Sequence, residues 1–279
     1  MKSFNRQPTV PRRSMKLSLC LDMLFRDQPF PERMKAAADH GYPAFEFWDW
    51  RDKPIEAVAE TARALGITAA AMSGNRRHAL IDLGAREGLV REMRHVLEIA
   101  GKLSCRNIMM LSDVLAADGS AVEPPPATAK QKIESMVEGL RALASAAETA
   151  DVTLLLEPLN TRLDHRGCFL DSSALAVDVV RQVESPRVKV LYDVYHMHMM
   201  GEDVLKEIET HFAAIGYIHI ADSPGRHQPG TGKIDFAALA ELLNRKQYDG
   251  FLGMEFAPLG PSNEAVRTPL LLFGRFVNA

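Results

Sequence analysis

Short apolar runs rich in β-branched and aromatic residues alternate along the chain with longer stretches whose apolar positions recur at helical spacing. The runs are KLSLCL (16–21), YPAFEFW (42–48), ITAAAMS (67–73), RNIMMLS (106–112), VTLLLEP (152–158), VKVLYD (188–193), IGYIHIAD (215–222) and DGFLGMEF (249–256). Helix-like stretches lie between them at about 31–40, 54–65, 85–102, 127–150, 172–184, 202–213 and 235–246, with a last one at about 263–277. Gly41, Gly66 and Gly101 stand where the first three helices stop, and Asp171 and Asp235 stand where the fifth and seventh begin. Strands buried on both faces need continuous apolar runs, and parallel neighbours need helical crossovers. Eight strand-then-helix units therefore predict a single (β/α)8 TIM barrel over 15–279, preceded by a short basic tail over 1–14 that is expected to be disordered. The competing topology is a doubly wound open sheet. EPPP at 123–126 reads as a loop, and nothing after residue 15 divides the chain.

Charge and composition exclude several function classes. The formal charge is −3 and no long basic run follows the first sixteen residues, so no nucleic-acid partner is expected. Cys20, Cys105 and Cys168 are odd in number and far apart, which fits a reducing cytoplasm and neither a disulfide framework nor a zinc knuckle. No apolar stretch approaches the roughly 20 residues of a membrane span. Arg12-Arg13 before an apolar stretch invites a twin-arginine export reading, but Asp22 interrupts that stretch and no small-residue cleavage site follows. Met15 is an alternative first residue.

In such a barrel the chemistry sits at the carboxyl ends of the strands. LLLEPLN places Glu157 at the end of the fifth, VLYDVYH places Asp193 at the sixth, YIHIAD His219 at the seventh and GMEF Glu255 at the eighth. Taken singly, each has an ordinary structural use: loop acid, helix cap, packed histidine, arginine partner. Four metal-capable side chains in one register are what carries the reading. Three carboxylates around one imidazole repel one another unless a cation sits among them. One divalent metal is expected, and the three-oxygen, one-nitrogen set suits Mn, Mg or Co better than Zn. Such a metal polarises a carbonyl and its neighbouring hydroxyl and stabilises an enediolate. Glu157 and Glu255 could remove and return the proton.

At LEPLN, DVYH, HIADSPGRHQPGTGKIDF and FLGMEF, and more weakly through SLCLDMLF, FEFWDW and MSGN, the chain resembles the xylose-isomerase-like barrels, in their hydroxypyruvate isomerase and ketose 3-epimerase branch. The resemblance implies one metal on Glu157, Asp193, His219 and Glu255, the two glutamates as acid and base, substrate contacts from His196 and Arg226, and a homodimer or homotetramer. Typical hydroxypyruvate isomerases carry glutamine where His219 stands and the epimerases carry histidine, whereas ADSPGRHQPGTGKIDF looks more like the isomerase side.

Around this set, His196 would project from the loop after the sixth strand, and Arg226 from the loop 223–233 offers a fork of donors. That loop ends in Gly232-Lys233 but is no phosphate loop, because His227 and Ile234 occupy the positions of the required glycine and hydroxyl residue. Glu46 and Asn75 are further candidate substrate contacts, and Trp48, Trp50 and His78 are candidate walls. The expectation is thus a cytoplasmic, metal-dependent isomerase of a small hydroxy-keto acid or sugar, with a 3-epimerase or keto-sugar lyase as close alternatives. A zinc AP-endonuclease-like enzyme and a non-catalytic sugar-binding barrel are the distant ones.

Overall fold

The computed structural model describes residues 14–276, so the expected tail, apart from its last residue, lies outside the described residues. Eight parallel strands close on themselves in chain order: β1 (Lys16–Cys20), β2 (Ala44–Phe47), β3 (Thr68–Ser73), β4 (Asn107–Leu111), β5 (Thr153–Glu157), β6 (Val188–Asp193), β7 (Ile215–Ile220) and β8 (Phe251–Met254). The ring is completed by β1 and β8, where Leu17 lies opposite Leu252 and Ser18 opposite Gly253. Around it run α1 (Phe30–Asp39), α2 (Ile55–Leu65), α3 (Arg86–Leu103), α4 (Ala129–Thr149), α5 (Ser173–Val183), α6 (Val194–Met200), α7 (Val204–His211), α8 (Phe236–Arg245), α9 (Ser262–Ala265) and α10 (Arg267–Phe273).

Successive residues of a strand face opposite sides, so each apolar run serves two cores at once. One face packs on the helices, as Phe45 and Phe47 do edge-on against Phe30 of α1. The other fills the barrel, where Ala44, Ala70, Ala71, Met109, Leu155, Leu191 and Tyr217 form a separate cluster. Two residues beyond Leu155, Leu191 and Tyr217, on the same face, come Glu157, Asp193 and His219. Alternation alone thus lifts those three polar side chains to the top of a packed barrel.

Some helix ends differ from expectation. Gly66 does close α2 in the left-handed conformation and Asp235 does cap α8, accepting from Ala238 N at 2.9 Å. Helix α3, however, runs through Gly101 and stops at Ser104, whose φ is 54°; the glycine inside the last turn costs less than ending the amphipathic face early. Ser172, rather than Asp171, caps α5, because Asp171 accepts instead from Thr161. The C-terminal stretch breaks into α9 and α10, since Pro269 fits only the first turn of a helix and so begins a new one. Residues 194–200, expected as loop, form α6, capped by Asp193 itself.

Candidate metal centre

Glu157 and Asp193 are the last residues of their strands, His219 is the penultimate residue of β7, and Glu255 lies one past β8. All four are buried, and one ligand atom from each lies within 4.8 Å of the others. His219 Nδ1 is 3.4 Å from Glu157 Oε1, 3.4 Å from Glu255 Oε2 and 3.8 Å from Asp193 Oδ2. Neither Nδ1 nor Asp193 Oδ2 has a hydrogen-bond partner. Buried polar atoms are nearly always satisfied, so two orphans aimed at one point, amid three carboxylates, fit a cation. Hard oxygen donors with one imidazole suit a divalent ion, and these are the residues that could hold it. Among the described residues no second such group of acids, histidines or cysteines occurs.

The electrostatics follow from burial. Asp193 is pushed up to about 7, chiefly by desolvation and by Glu255 and Glu157. Glu157 is raised too, again by burial first. Burial would raise Glu255 as well, but His219, Arg226 and Trp48 together hold it below the usual carboxylate range. Both its oxygens are engaged: Trp48 Nε1 donates to Oε1 at 2.7 Å, and the Arg226 guanidinium donates to Oε2. His219, although buried, is raised well above its ordinary value by Glu255 and Glu46.

Above the cluster opens a cavity of about 490 Å³ lined by Trp48, Arg76, His165, His196, Arg226 and Glu255 among others. Of the expected substrate contacts, His196 and Arg226 line it, while Glu46 and Asn75 do not. His196 is fixed on α6, its backbone N–H donating to Asp193 Oδ1 at 2.8 Å. Asn160 Nδ2 sits 2.7 Å from His196 Nδ1, which makes that nitrogen the acceptor and leaves the proton on Nε2, an atom with no partner. Burial and Arg226 hold His196 well below its ordinary value, so it is neutral. Arg226 is carried by the loop 223–233, folded around Asp222: the Asp222 carboxylate accepts from the N–H groups of Ser223, Gly230 and Gly232 at 2.8 Å and from Ile234 at 3.2 Å.

Asn75 spends its amide on Leu111 O at 2.8 Å and His78 O at 3.0 Å while accepting from Leu111 N, so it ties the β3 loop to β4. His78 turns to Glu92 at 2.9 Å, away from the cavity. Glu46 lies beneath the cluster, behind His219. The residues that sequence reasoning passed over are Asn160, Arg76 and His165. Asn160 ends the same LEPLN run as Glu157, a usable signal; Arg76 and His165 sit in loops that carry none.

A closed parallel barrel with a buried acid and imidazole cluster at the carboxyl ends of its strands belongs to the TIM-barrel class of site-bearing folds. Residues 34–272 match the xylose isomerase-like TIM barrel family, and the chain belongs to it. A 2-oxo-tetronate isomerase of Cupriavidus necator is 31% identical over 249 residues, which cover 85% of this chain and 91% of that protein. The hydroxypyruvate isomerase of Escherichia coli is 27% identical over 262 residues, covering 91% and 97% respectively. Among solved structures, an AP endonuclease of family 2 from Brucella melitensis superposes with a TM-score of 0.83 at 25% identity, over 95% of this chain and all (100%) of that one. Among the described residues no helix is long and apolar enough to cross a membrane.

Proposed function

We propose that this protein is a divalent-metal-dependent isomerase that moves a proton between neighbouring carbons of a small hydroxy-keto acid or sugar, hydroxypyruvate or a close analogue first among them, through an enediolate. The observation that carries the reading is the convergence of Glu157, Asp193, His219 and Glu255 within 4.8 Å under a cavity of about 490 Å³. The isomerase names of the Cupriavidus and Escherichia relatives support the reaction class. When bound, a cation would polarise the substrate carbonyl and offset the negative charge that develops on it.

The chain's own residues supply the rest. Glu157 and Glu255 each lie 3.4 Å from His219 Nδ1, and both line the cavity that would receive the substrate. Glu157 and Glu255 are the pair that removes and returns the proton, Glu255 being held ionised by His219, Arg226 and Trp48 while burial raises Glu157. His196 offers its free Nε2–H to a substrate oxygen. Arg226 keeps Glu255 in place and brings positive charge to the cavity wall. One cluster of four ligands among the described residues and a net charge of −3 give a multi-zinc, nucleic-acid-cutting enzyme little support.

A second reading, ketose 3-epimerisation, is favoured by the histidine at 219 and by the two flanking glutamates, which could serve opposite faces of one carbon. Both are tested by incubating metal-loaded protein in D2O with hydroxypyruvate, then with neutral ketoses, and following the carbon-bound proton by NMR. Exchange with hydroxypyruvate alone supports isomerisation of the acid; exchange with a ketose alone moves the assignment to the epimerase; exchange with neither overturns both.

A further inference from the structure

Glu46 is a carboxylate in the wrong place for an ordinary acid. Its residue is fully buried inside the barrel and does not line the cavity. Among the described residues no lysine or arginine pairs with it. Two groups meet it instead, both from β7: the Tyr217 hydroxyl donates to Oε2, and His219 Nε2 lies 3.1 Å from Oε1. Space for the carboxylate comes from β8. Gly253 stands directly opposite His219 in the β7–β8 register, and a Cβ built there would collide with the Glu46 carboxylate. Three strands have therefore given up ordinary packing to seat one acid behind one imidazole.

We propose that Glu46 is a positioning residue for the metal centre: in the neutral form of His219 that a metal ligand requires, it keeps the ring proton on Nε2 and turns the Nδ1 lone pair toward Glu157, Asp193 and Glu255. The chemistry is one of matching. An ionised carboxylate only accepts, so the ring nitrogen facing it must carry hydrogen, and in a neutral imidazole the other nitrogen must then be bare. The side facing Glu46 is Nε2, and the side facing the three carboxylates is Nδ1. Nε2 and Oε1 lie 3.1 Å apart without forming a hydrogen bond, while the Tyr217 hydroxyl anchors the carboxylate and its ring stands edge-on to His219. A carboxylate behind a ligating histidine also makes the bare nitrogen a stronger donor.

This inference rests on the metal-centre reading, and the test separates the two. Metal-free wild type and Glu46→Gln are titrated with Mn2+, free ion being followed by its EPR signal, and thermal unfolding of both metal-free proteins is recorded. The wild type is expected to bind one Mn2+, and the variant to bind it about 10- to 100-fold more weakly. A lower melting temperature with Mn2+ affinity within twofold of wild type assigns Glu46 to packing alone and overturns the inference while leaving the metal centre intact. A wild type that binds no Mn2+ overturns both. Should Glu46→Gln fail to fold, imidazole 15N correlation spectra of Zn2+-loaded wild type decide: Nε2–H with metal on Nδ1 of His219 is expected, and the reverse arrangement overturns the inference.

Discussion

Glu255 is held on three sides: Trp48 and Arg226 engage its two oxygens while His219 faces it. Glu255→Gln keeps the shape and removes the ionised acceptor, so proton exchange with substrate is expected to fall by about 10²- to 10⁴-fold, measured as solvent deuterium uptake at saturating metal. His196 supplies a pH test. Its folded value lies well below the ordinary histidine range, so as pH drops under about 6.5 the unfolded chain binds a proton that the folded chain refuses. Stability from this residue is present at neutral pH and lost on acidification. Urea unfolding at pH 7 and pH 5 is expected to show a smaller acid-side loss in His196→Gln than in wild type. At this scale the sequence was readable where strand register speaks: Leu155 predicts the facing of Glu157, and Tyr217 that of His219. Glu46 has the same alternation, but its partners lie across the barrel on β7 and β8, and local pattern carries no such information.

At the scale of elements, the loop after β7 is built on Asp222, whose carboxylate accepts from four backbone N–H groups between Ser223 and Ile234. Bonds from backbone amides to a charged acceptor are among the stronger ones in a protein. Asp222→Ala is expected to release residues 223–233, seen as faster amide hydrogen exchange there, with weakened substrate turnover because Arg226 loses its placement. Strand β8 offers a second test. Gly253→Ala forces the Glu46 carboxylate out of its seat, with an expected cost of about 1–3 kcal/mol in urea unfolding. The sequence made the strands and helices visible because hydrophobic periodicity is local, and at Asp235 the capping chemistry is local too. It hid α6 because the residue that caps this helix, Asp193, is also the last residue of a strand, and a strand-end acid reads equally as a loop residue. Ser104 in place of Gly101 was hidden for a similar reason: tertiary packing of α3, from Leu89 to Leu103, outweighs one glycine.

For the whole molecule, proton and metal compete for one buried cluster. Asp193, raised to about 7, keeps a proton in the metal-free fold that the unfolded chain releases near pH 4. Its share of metal-free stability is therefore greatest in acid and lost as pH rises to about 7. A cation reverses this, since it needs the ionised form. Added Mn2+ is expected to raise the melting temperature by an amount that grows with pH and levels off above about 7; at a hundredfold excess over Kd the gain corresponds to about 2.7 kcal/mol. Differential scanning fluorimetry across pH 5 to 8, with Mn2+ and with chelator, measures both limbs.

The ring is sealed where the last strand meets the first, and that seam sets an order of events during synthesis. Three ligands have emerged by residue 219, but Glu255, the glycine notch for Glu46 and the β1 pairing all wait for the stretch 251–255. A nascent chain halted at residue 249 would hold most of the cluster's negative charge with no finished cage to receive a counter-ion. Tight uptake of the ion thus becomes a signature of a completed polypeptide, and stalled chains are expected to exchange it freely.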